Sequence, residues 1–411
     1  MNQTLINRPH YLSQLIGHKD VDLVKIITGI RRCGKSSLLE LFKGHLITEG
    51  IPEDNIISMN LQSLKFENLG NYRDFYQHVA ASIPAEGRTY LLFDEIQSVA
   101  GFEKAIESLR LEYDVDIYIT GSNAHLLSTE LSTLLSGRYV EIKMLPLSFA
   151  EFLTFNEFDD ALSVRQKFRL YFRFGGMPIL KQYAFDEKRS YEALDGVYSS
   201  IVLRDILDRD QSARADILRK VIRFLASNIG SITSPNSIGG VLSDEKDIDN
   251  AGGMAGKTVA KYIDLLEKAY IFQSLERYDI KGKQHLRTLG KHYITDLGFR
   301  HMLLGFRDID RGHLLENLVF LELRRQDYSV YLGKVGSYEI DFVAEKPNER
   351  IYIQVTESMN SKEVREREIR PLLSISDNYE KLILSMDEPL VESYEGIKVR
   401  NLIEWLQESK I

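Results

Sequence analysis

Gly29-Ile30-Arg31-Arg32-Cys33-Gly34-Lys35-Ser36 has the spacing G-x-x-x-x-G-K-S. It follows Leu23 to Thr28, a short β-branched run that predicts a buried strand, and precedes Ser36 to about His45, which predicts a helix. The two glycines let the backbone curl into a nest of N–H groups facing phosphate oxygens. Lys35 brings positive charge to the β- and γ-phosphates, Ser36 offers a hydroxyl to Mg²⁺, and the helix turns its positive end to the same anion. Chance gives such a string in roughly one chain of this length in a hundred, and the flanking strand and helix remove most of that remainder. Gly29, Ile30, Arg31, Arg32, Cys33, Gly34, Lys35, Ser36 and Ser37 are therefore the candidate ATP-binding loop. Cys33 reads as a space-filler whose alkylation is expected to block nucleotide by bulk.

The second half of such a site is expected 58 residues beyond Ser36, where Tyr90-Leu91-Leu92-Phe93 runs into Asp94-Glu95. Alone, two acids after an apolar strand open a solvated loop. Paired with the phosphate loop, Asp94 reads as a Mg²⁺ ligand and Glu95 as the group that orients or activates water. Ser122 or Asn123, after the strand Asp116 to Thr120, is a candidate γ-phosphate sensor, and either residue also suits a helix N-cap. Arg138, after the predicted helix 123–136, is a candidate arginine finger. From spacing alone the better account of Arg138 is a cation satisfying a helix C-terminus.

Strands alternating with helices up to Pro146 predict an α/β fold, a parallel sheet with helices on both faces. Residues 148–230 read as mostly helical, with a break at Gly175-Gly176-Met177-Pro178, and 229–256 read as loop. The expected division is 1–147 as the P-loop ATPase core, 148–215 as a helical lid, 216–310 as a winged-helix-like segment and 311–411 as a further α/β domain. The 411 residues carry a net charge of −8 and one cysteine, so a disulfide framework and a multi-cysteine zinc site are excluded. No run approaches the roughly 18 apolar residues of a membrane span. The N-terminus lacks a signal-peptide pattern, so a cytoplasmic protein is expected.

Taken together, INRPHYL (6–12), TGIRRCGKSSLL (28–39), YLLFDEIQ (90–97), YITGSNAHLLS (118–128), LSGRYVEIKMLPLSFAEF (135–152), FGGMP (174–178), YITDLG (293–298) and LLENLVF (314–320) resemble a bacterial and archaeal family of AAA-type ATPases. That family lies close to the STAND and origin-recognition-like branches and carries a C-terminal domain of unknown function. The resemblance implies an arginine finger at Arg138, a lid signature at Gly176-Met177-Pro178 with Pro178 near the adenine, and Arg8 in a lead-in bordering the nucleotide. It also implies a winged helix in the middle of the chain.

Lys257 to Arg300 holds nine Lys/Arg and five Asp/Glu, a local net of +4 in an acidic chain. Lys257, Thr258 and Lys261 on a candidate recognition helix, with Lys281, Lys283 and Arg287 at a wing tip, could touch DNA phosphates. The rival is a solvated face on a scaffold. Asp296 reads as the N-cap of a short helix, Leu297 to Leu304. Further on, Glu316 on a helix, Asp341 on a strand and Gln354-Val355-Thr356 resemble a restriction-endonuclease-like order of acid, Asp, then (D/E/Q)-x-K. Thr356 stands where that pattern has Lys, and neutral Gln354 is a weak ligand for a hard cation. A nuclease-like domain without cleavage, serving contact with a protein partner, is expected.

The resulting expectation is a Mg²⁺-ATP-dependent hydrolase working as a switch, with oligomer formation if Arg138 acts across subunits. Rivals are a nucleotide-gated regulator with negligible turnover and an ATP-dependent nuclease. A plain phosphate-transferring kinase is disfavoured by the Asp94-Glu95 pair.

Overall fold

The computed structural model describes residues 5, 7–122, 135, 137–208, 210–244, 256–282, 284–307, 310–388, 391 and 393–408. The chain forms two compact units, one of residues 1–146 with 268–270, the other of 147–267 with 271–410.

The first unit is built on five strands, β1 (Val24–Thr28), β2 (Ile56–Asn60), β3 (Thr89–Asp94), β4 (Val115–Thr120) and β5 (Tyr139–Lys143). They lie in the order β2-β3-β4-β1-β5, all parallel. Parallel neighbours need crossovers, and α1 (Pro9–Gly17), α2 (Lys35–Thr48), α3 (Tyr72–Ala80) and α4 (Phe102–Glu112) accompany the strands. Successive side chains of a strand point to opposite faces. Ile117 and Ile119 of β4 join Phe75, Val79, Phe102, Ile106 and Leu109 of α3 and α4 in one buried cluster. Tyr118 between them meets Phe42 of α2, ring centroids 4.4 Å apart. Helices thus cover both faces, as the alternation predicts. The buried run of β1 holds one charge: Lys25 pairs with Asp116 of β4 and donates to the Val21 carbonyl at 2.8 Å. The predicted helix 123–136 lies outside the described residues except for Leu135.

The second unit begins with α5 (Phe149–Asn156), α6 (Val164–Phe174) and α7 (Glu187–Ser200). Ser148 and Ser163 each close a reciprocal capping box, with Glu151 and Gln166. Phe149 packs edge-on against Phe168, 5.4 Å between centroids. Then come α8 (Ala215–Ser227), α9 (Pro235–Asp244) and α10 (Gly256–Lys268). Helix α9 falls in the stretch read as loop. Its polar composition hides two signals, Pro235 at the first helical position and buried Ile238 and Leu242 one turn apart.

The hairpin β6 (Phe272–Asp279) and β7 (Gln284–Ile294) is followed by α11 (Leu297–Leu304) and α12 (Arg311–Arg325). Next come β8 (Ser329–Val335), β9 (Tyr338–Lys346), β10 (Glu349–Thr356), α13 (Lys362–Leu373), β11 (Glu380–Ser385), β12 (Ser393–Tyr394), β13 (Ile397–Asn401) and α14 (Leu402–Gln407). One mixed sheet takes the order β12-β13-β11-β10-β9-β8-β6-β7. The hairpin read as a two-stranded wing joins this sheet: Arg277 to Asp279 of β6 run parallel to Leu332 to Lys334 of β8, and the hairpin forms one edge of it. Backbone pairing satisfies the N–H and C=O groups that a separate wing would leave to water. No helix among the described residues is long and apolar enough to cross a membrane.

Asp296 caps α11 as expected, accepting from Gly298 N–H at 2.8 Å, and also accepts from Gly176 N–H at 2.7 Å. The FGGMP and TDLG stretches are thereby fastened to each other. Burial pushes the Asp296 carboxyl up to about 7, against about 3.9 in an unfolded chain. A raised acid pKa means that the folded state holds the proton more tightly. Its stabilisation is full below the unfolded value and is lost as pH rises through the folded one. Denaturation at pH 5 and pH 8 should show the wild type losing stability, at up to about 1.4 kcal/mol per pH unit between those pKa values. Asp296→Asn should lose less over the same range. An equal loss in both would mean that Asp296 is not the titrating group.

Candidate nucleotide site

Register in the first sheet gathers the site. Ile27 of β1 aligns with Thr120 of β4, and Phe93 of β3 with Ile119. The carboxyl ends of β1, β4 and β3 therefore meet along one edge, where open parallel sheets bind ligands. The loop from Gly29 to Gly34 leaves β1 there and opens α2.

The two glycines are required by the backbone. Gly29 has φ +139°, and a Cβ there would lie 2.1 Å from the Met144 carbonyl oxygen. Gly34, at φ +111°, is the left-handed residue that caps α2. Gly29→Ala is accordingly expected to distort the loop at a cost of roughly 1–3 kcal/mol. The check is a lowered melting temperature together with lost nucleotide binding, and an alanine variant that binds as wild type would refute this geometry. Cys33 is fully buried, its Sγ 3.7 Å from the Met144 carbonyl oxygen, so it fills space as expected. Alkylation therefore requires the loop to open first. Ile30 is fully buried, Arg31 and Ser37 are half-buried, and Arg32, at φ +65°, and Ser36 are exposed.

Lys35 Nζ donates to the carbonyls of Gly29 at 2.8 Å and Ile30 at 3.1 Å, folding over the loop that it serves. Arg8 holds the loop from outside, donating to Cys33 O at 3.2 Å and Leu145 O at 2.9 Å. Tyr11 joins it, its hydroxyl accepting from Leu145 N–H at 3.1 Å. The lead-in thus clamps the phosphate loop to the exit of β5.

Asp94 ends β3 with both carboxylate oxygens engaged. Thr120 Oγ1 donates to Oδ1 at 2.6 Å, and Asn60 Nδ2, at the end of β2, donates to Oδ2 at 3.0 Å. Thr120 Oγ1 also accepts from Glu95 N–H at 2.9 Å. One hydroxyl therefore sets the carboxylate of Asp94 and the backbone of Glu95. Glu95 is left-handed, φ +55°, and its carboxylate accepts from the Gln97 side-chain amide. Thr120, Asn60 and Gln97 escape the sequence reading. They come from neighbouring strand ends or the next turn, and only the β2-β3-β4 adjacency marks the first two.

The other expected residues are distributed differently. Ser122 is fully buried beyond the end of β4, and Asn123 lies outside the described residues. Arg138 is exposed just before β5, its carbonyl accepting from Val24 N–H at 3.0 Å. Pro178 opens a short 3-10 turn in the second unit. Lys257 and Lys281 are exposed and Thr258 half-buried. Lys261 is paired with Asp210 at 2.7 Å. Lys283 and the Arg287 side chain lie outside the described residues.

In the C-terminal sheet, Glu316 and Asp341 are brought together, both within reach of Lys291. Gln354 Oε1 accepts from Asp341 N–H at 2.7 Å, while Thr356 donates to the Ser358 carbonyl at 3.3 Å. Glu339 also pairs with Lys291, at 3.1 Å, and neither residue carries a local signal in the sequence. Lys291 sits in a strand-like run whose side-chain direction depends on a register unknown from sequence.

Sheet order, phosphate loop and acidic strand end together define a nucleotide-binding P-loop ATPase domain of the AAA type. Residues 22–153 match the AAA domain family, and residues 165–310 match a domain of unknown function that spans the boundary expected at 215. Over 408 residues the chain is 40% identical to an uncharacterized protein of Haemophilus influenzae, covering 99% of this chain and 100% of that one. Over 360 residues it is 30% identical to an uncharacterized protein of Methanocaldococcus jannaschii, covering 84% and 77%. The chain belongs to the family that includes these two proteins. In structure it is similar to a Walker-type ATPase of Pyrococcus abyssi, with a TM-score of 0.51 at 14% identity, over 72% of this chain and 95% of that one.

Proposed function

We propose that the protein binds ATP with Mg²⁺ at residues 29–37, hydrolyses it, and works as a nucleotide-driven switch. The observation that carries this reading is the bracing of Asp94 by Thr120 and Asn60, with Glu95 fastened to the same hydroxyl. A solvated loop needs no such bracing; a carboxylate held to receive a cation does. The donor set suits Mg²⁺, a hard cation that takes oxygen ligands, through the Asp94 carboxylate and the exposed Ser36 hydroxyl. Bound Mg²⁺ supplies charge neutralisation at the β- and γ-phosphates. Lys35 and the loop amides hold the phosphates, and Glu95 orients the attacking water and takes its proton. Ser122 or Asn123 contacts the γ-phosphate. Arg138 offsets charge developing on the transferred phosphoryl group, from its own subunit or a neighbour's.

DNA is the proposed target of residues 216–310. Three helices followed by a hairpin have the order of a winged helix, and a single antiparallel bridge, Thr233 N–H donating to Gly290 O at 2.9 Å, ties the segment between the first two helices to the hairpin. Exposed Lys257 and Lys281 offer phosphate contacts. The C-terminal sheet is proposed as a nuclease-like scaffold for a protein partner.

The test is the ATPase rate per subunit against protein concentration, with and without duplex DNA, beside Lys35→Ala. A rate above that control supports hydrolysis. A rise with concentration places Arg138 between subunits, and a rise with DNA names the target. A rate equal to the control favours a second reading, a nucleotide-gated regulator with negligible turnover. The Gln97 amide on the Glu95 carboxylate supports that reading, because it occupies the oxygen that water would use.

A further inference from the structure

Lys291 of β7 is a buried lysine, with its side chain 4% exposed. Its Nζ lies 3.0 Å from Glu316 Oε2 on α12, 3.1 Å from Glu339 Oε1 and 3.7 Å from Asp341 Oδ1 on β9. Three carboxylates from two elements thus converge on one ammonium delivered by a third. Burial works against the Lys291 charge, yet Asp341, Glu316 and Glu339 hold its pKa above the ordinary value.

We propose that the Lys291 ammonium is the resident cation of this carboxylate centre, so that the native centre takes no divalent metal and does not support phosphodiester cleavage. The surrounding hydrogen bonds argue for occupation rather than vacancy. Glu316 Oε2 accepts from Lys291 and from the Tyr293 hydroxyl at 3.0 Å. Asp341 Oδ2 accepts from Val355 N–H at 2.9 Å, leaving Oδ1 to Lys291. The Gln354 carbonyl oxygen is turned to Asp341 N–H, and its amide donates to Glu368 at 3.2 Å. One oxygen of each carboxylate thus faces the ammonium, and Asp341 Oδ2 and the Gln354 carbonyl oxygen are engaged by backbone N–H donors. The facing oxygens stand about 3 Å or more from the centre of positive charge, beyond the roughly 2.0–2.6 Å that hard divalent cations require. Among the described residues no group of three or more Asp, Glu, His or Cys side chains is disposed to hold a metal ion.

Without Lys291 the balance reverses. The carboxylates would face each other with no counter-charge, and a hard divalent cation with oxygen preference is the replacement that satisfies all three. Glu316 and Glu339 need to close in by about 0.5–1 Å, and Asp341 by about 1–1.5 Å, to bring their oxygens into its range. Lys291 thus masks a latent metal site, and its removal should unmask it. This inference is independent of nucleotide binding.

The experiment uses the full chain without nucleotide, in the Lys35→Ala background so that the phosphate loop contributes nothing. Melting temperature and free-Mn²⁺ electron paramagnetic resonance are recorded in EDTA and in excess Mn²⁺. With Lys291 present, Mn²⁺ should neither bind at this centre nor raise the melting temperature. Lys291→Met should melt lower in EDTA and recover by roughly 5 °C in Mn²⁺ at about 100 times its dissociation constant. Lys291→Met/Asp341→Asn should not recover. Mn²⁺ bound by the chain that keeps Lys291, and lost with Asp341→Asn, would overturn the proposal. So would metal-dependent DNA cleavage by the wild type that Asp341→Ala abolishes. A Lys291→Met chain that is unfolded in EDTA but folds in Mn²⁺ supports it, and one unfolded in both counts against it.

Discussion

Glu95→Gln should lower the ATP hydrolysis rate by about 10²–10⁴-fold, the usual contribution of a positioned general base. ATP affinity should stay within about twofold of wild type, because only an interaction made during reaction is removed. Glutamine keeps the size of the side chain, and its carbonyl oxygen can still accept from Gln97. The backbone N–H of residue 95 remains on the Thr120 hydroxyl, so the bracing of Asp94 survives. What is lost is the capacity to take a proton. Equilibrium binding of a fluorescent ATP analogue, with single-turnover hydrolysis on the same preparation, separates the two effects. A variant that hydrolyses at the wild-type rate would remove Glu95 from the mechanism.

Lys35→Ala should weaken ATP binding by about 100-fold, corresponding to the ~1.5–3 kcal/mol of a hydrogen bond to a charged group. Lys35 is 4% exposed, and its ammonium donates to the carbonyls of Gly29 and Ile30. Truncation takes the positive charge from the loop and leaves those carbonyls without the lysine donor, so the phosphates lose their main attractive partner. The readout is thermal. ATP with Mg²⁺ should raise the wild-type melting temperature, and the same concentration should leave Lys35→Ala nearly unmoved. Equal ATP-induced shifts in both proteins would place the nucleotide elsewhere.

These two predictions rest on features that a linear reading reaches, because the groups involved are neighbours in the chain. A loop of eight residues between a strand and a helix has few conformations open to it, and its glycines, lysine and serine carry their roles wherever the loop occurs. The apolar run into Asp94-Glu95 is local in the same way. So is the alternation that puts Tyr118 against α2 while Ile117 and Ile119 face α3 and α4. The cap at Asp296 also follows from residue type and position.

Other features required the folded chain. Ser122 and Asn123 follow the end of β4 in sequence, but the hydroxyl on Asp94 belongs to Thr120, because the β3–β4 register aligns Phe93 with Ile119 and brings the next residues of the two strands side by side. Asn60 reaches Asp94 because β2 adds to the far side of β3. The hairpin β6–β7 reads as a wing in sequence, since nothing local announces that β8, some fifty residues on, pairs with it. Lys291 owes its place among Glu316, Glu339 and Asp341 to that sheet. By itself the sequence determined the phosphate loop, the acidic strand end and the layered core, each set by contiguous residues or a short period. Tertiary structure alone decided how Asp94 is braced, where the hairpin belongs and which cation the C-terminal carboxylates hold. Those outcomes depend on strand order and register, and both are fixed by the burial of whole faces rather than by any one stretch of chain.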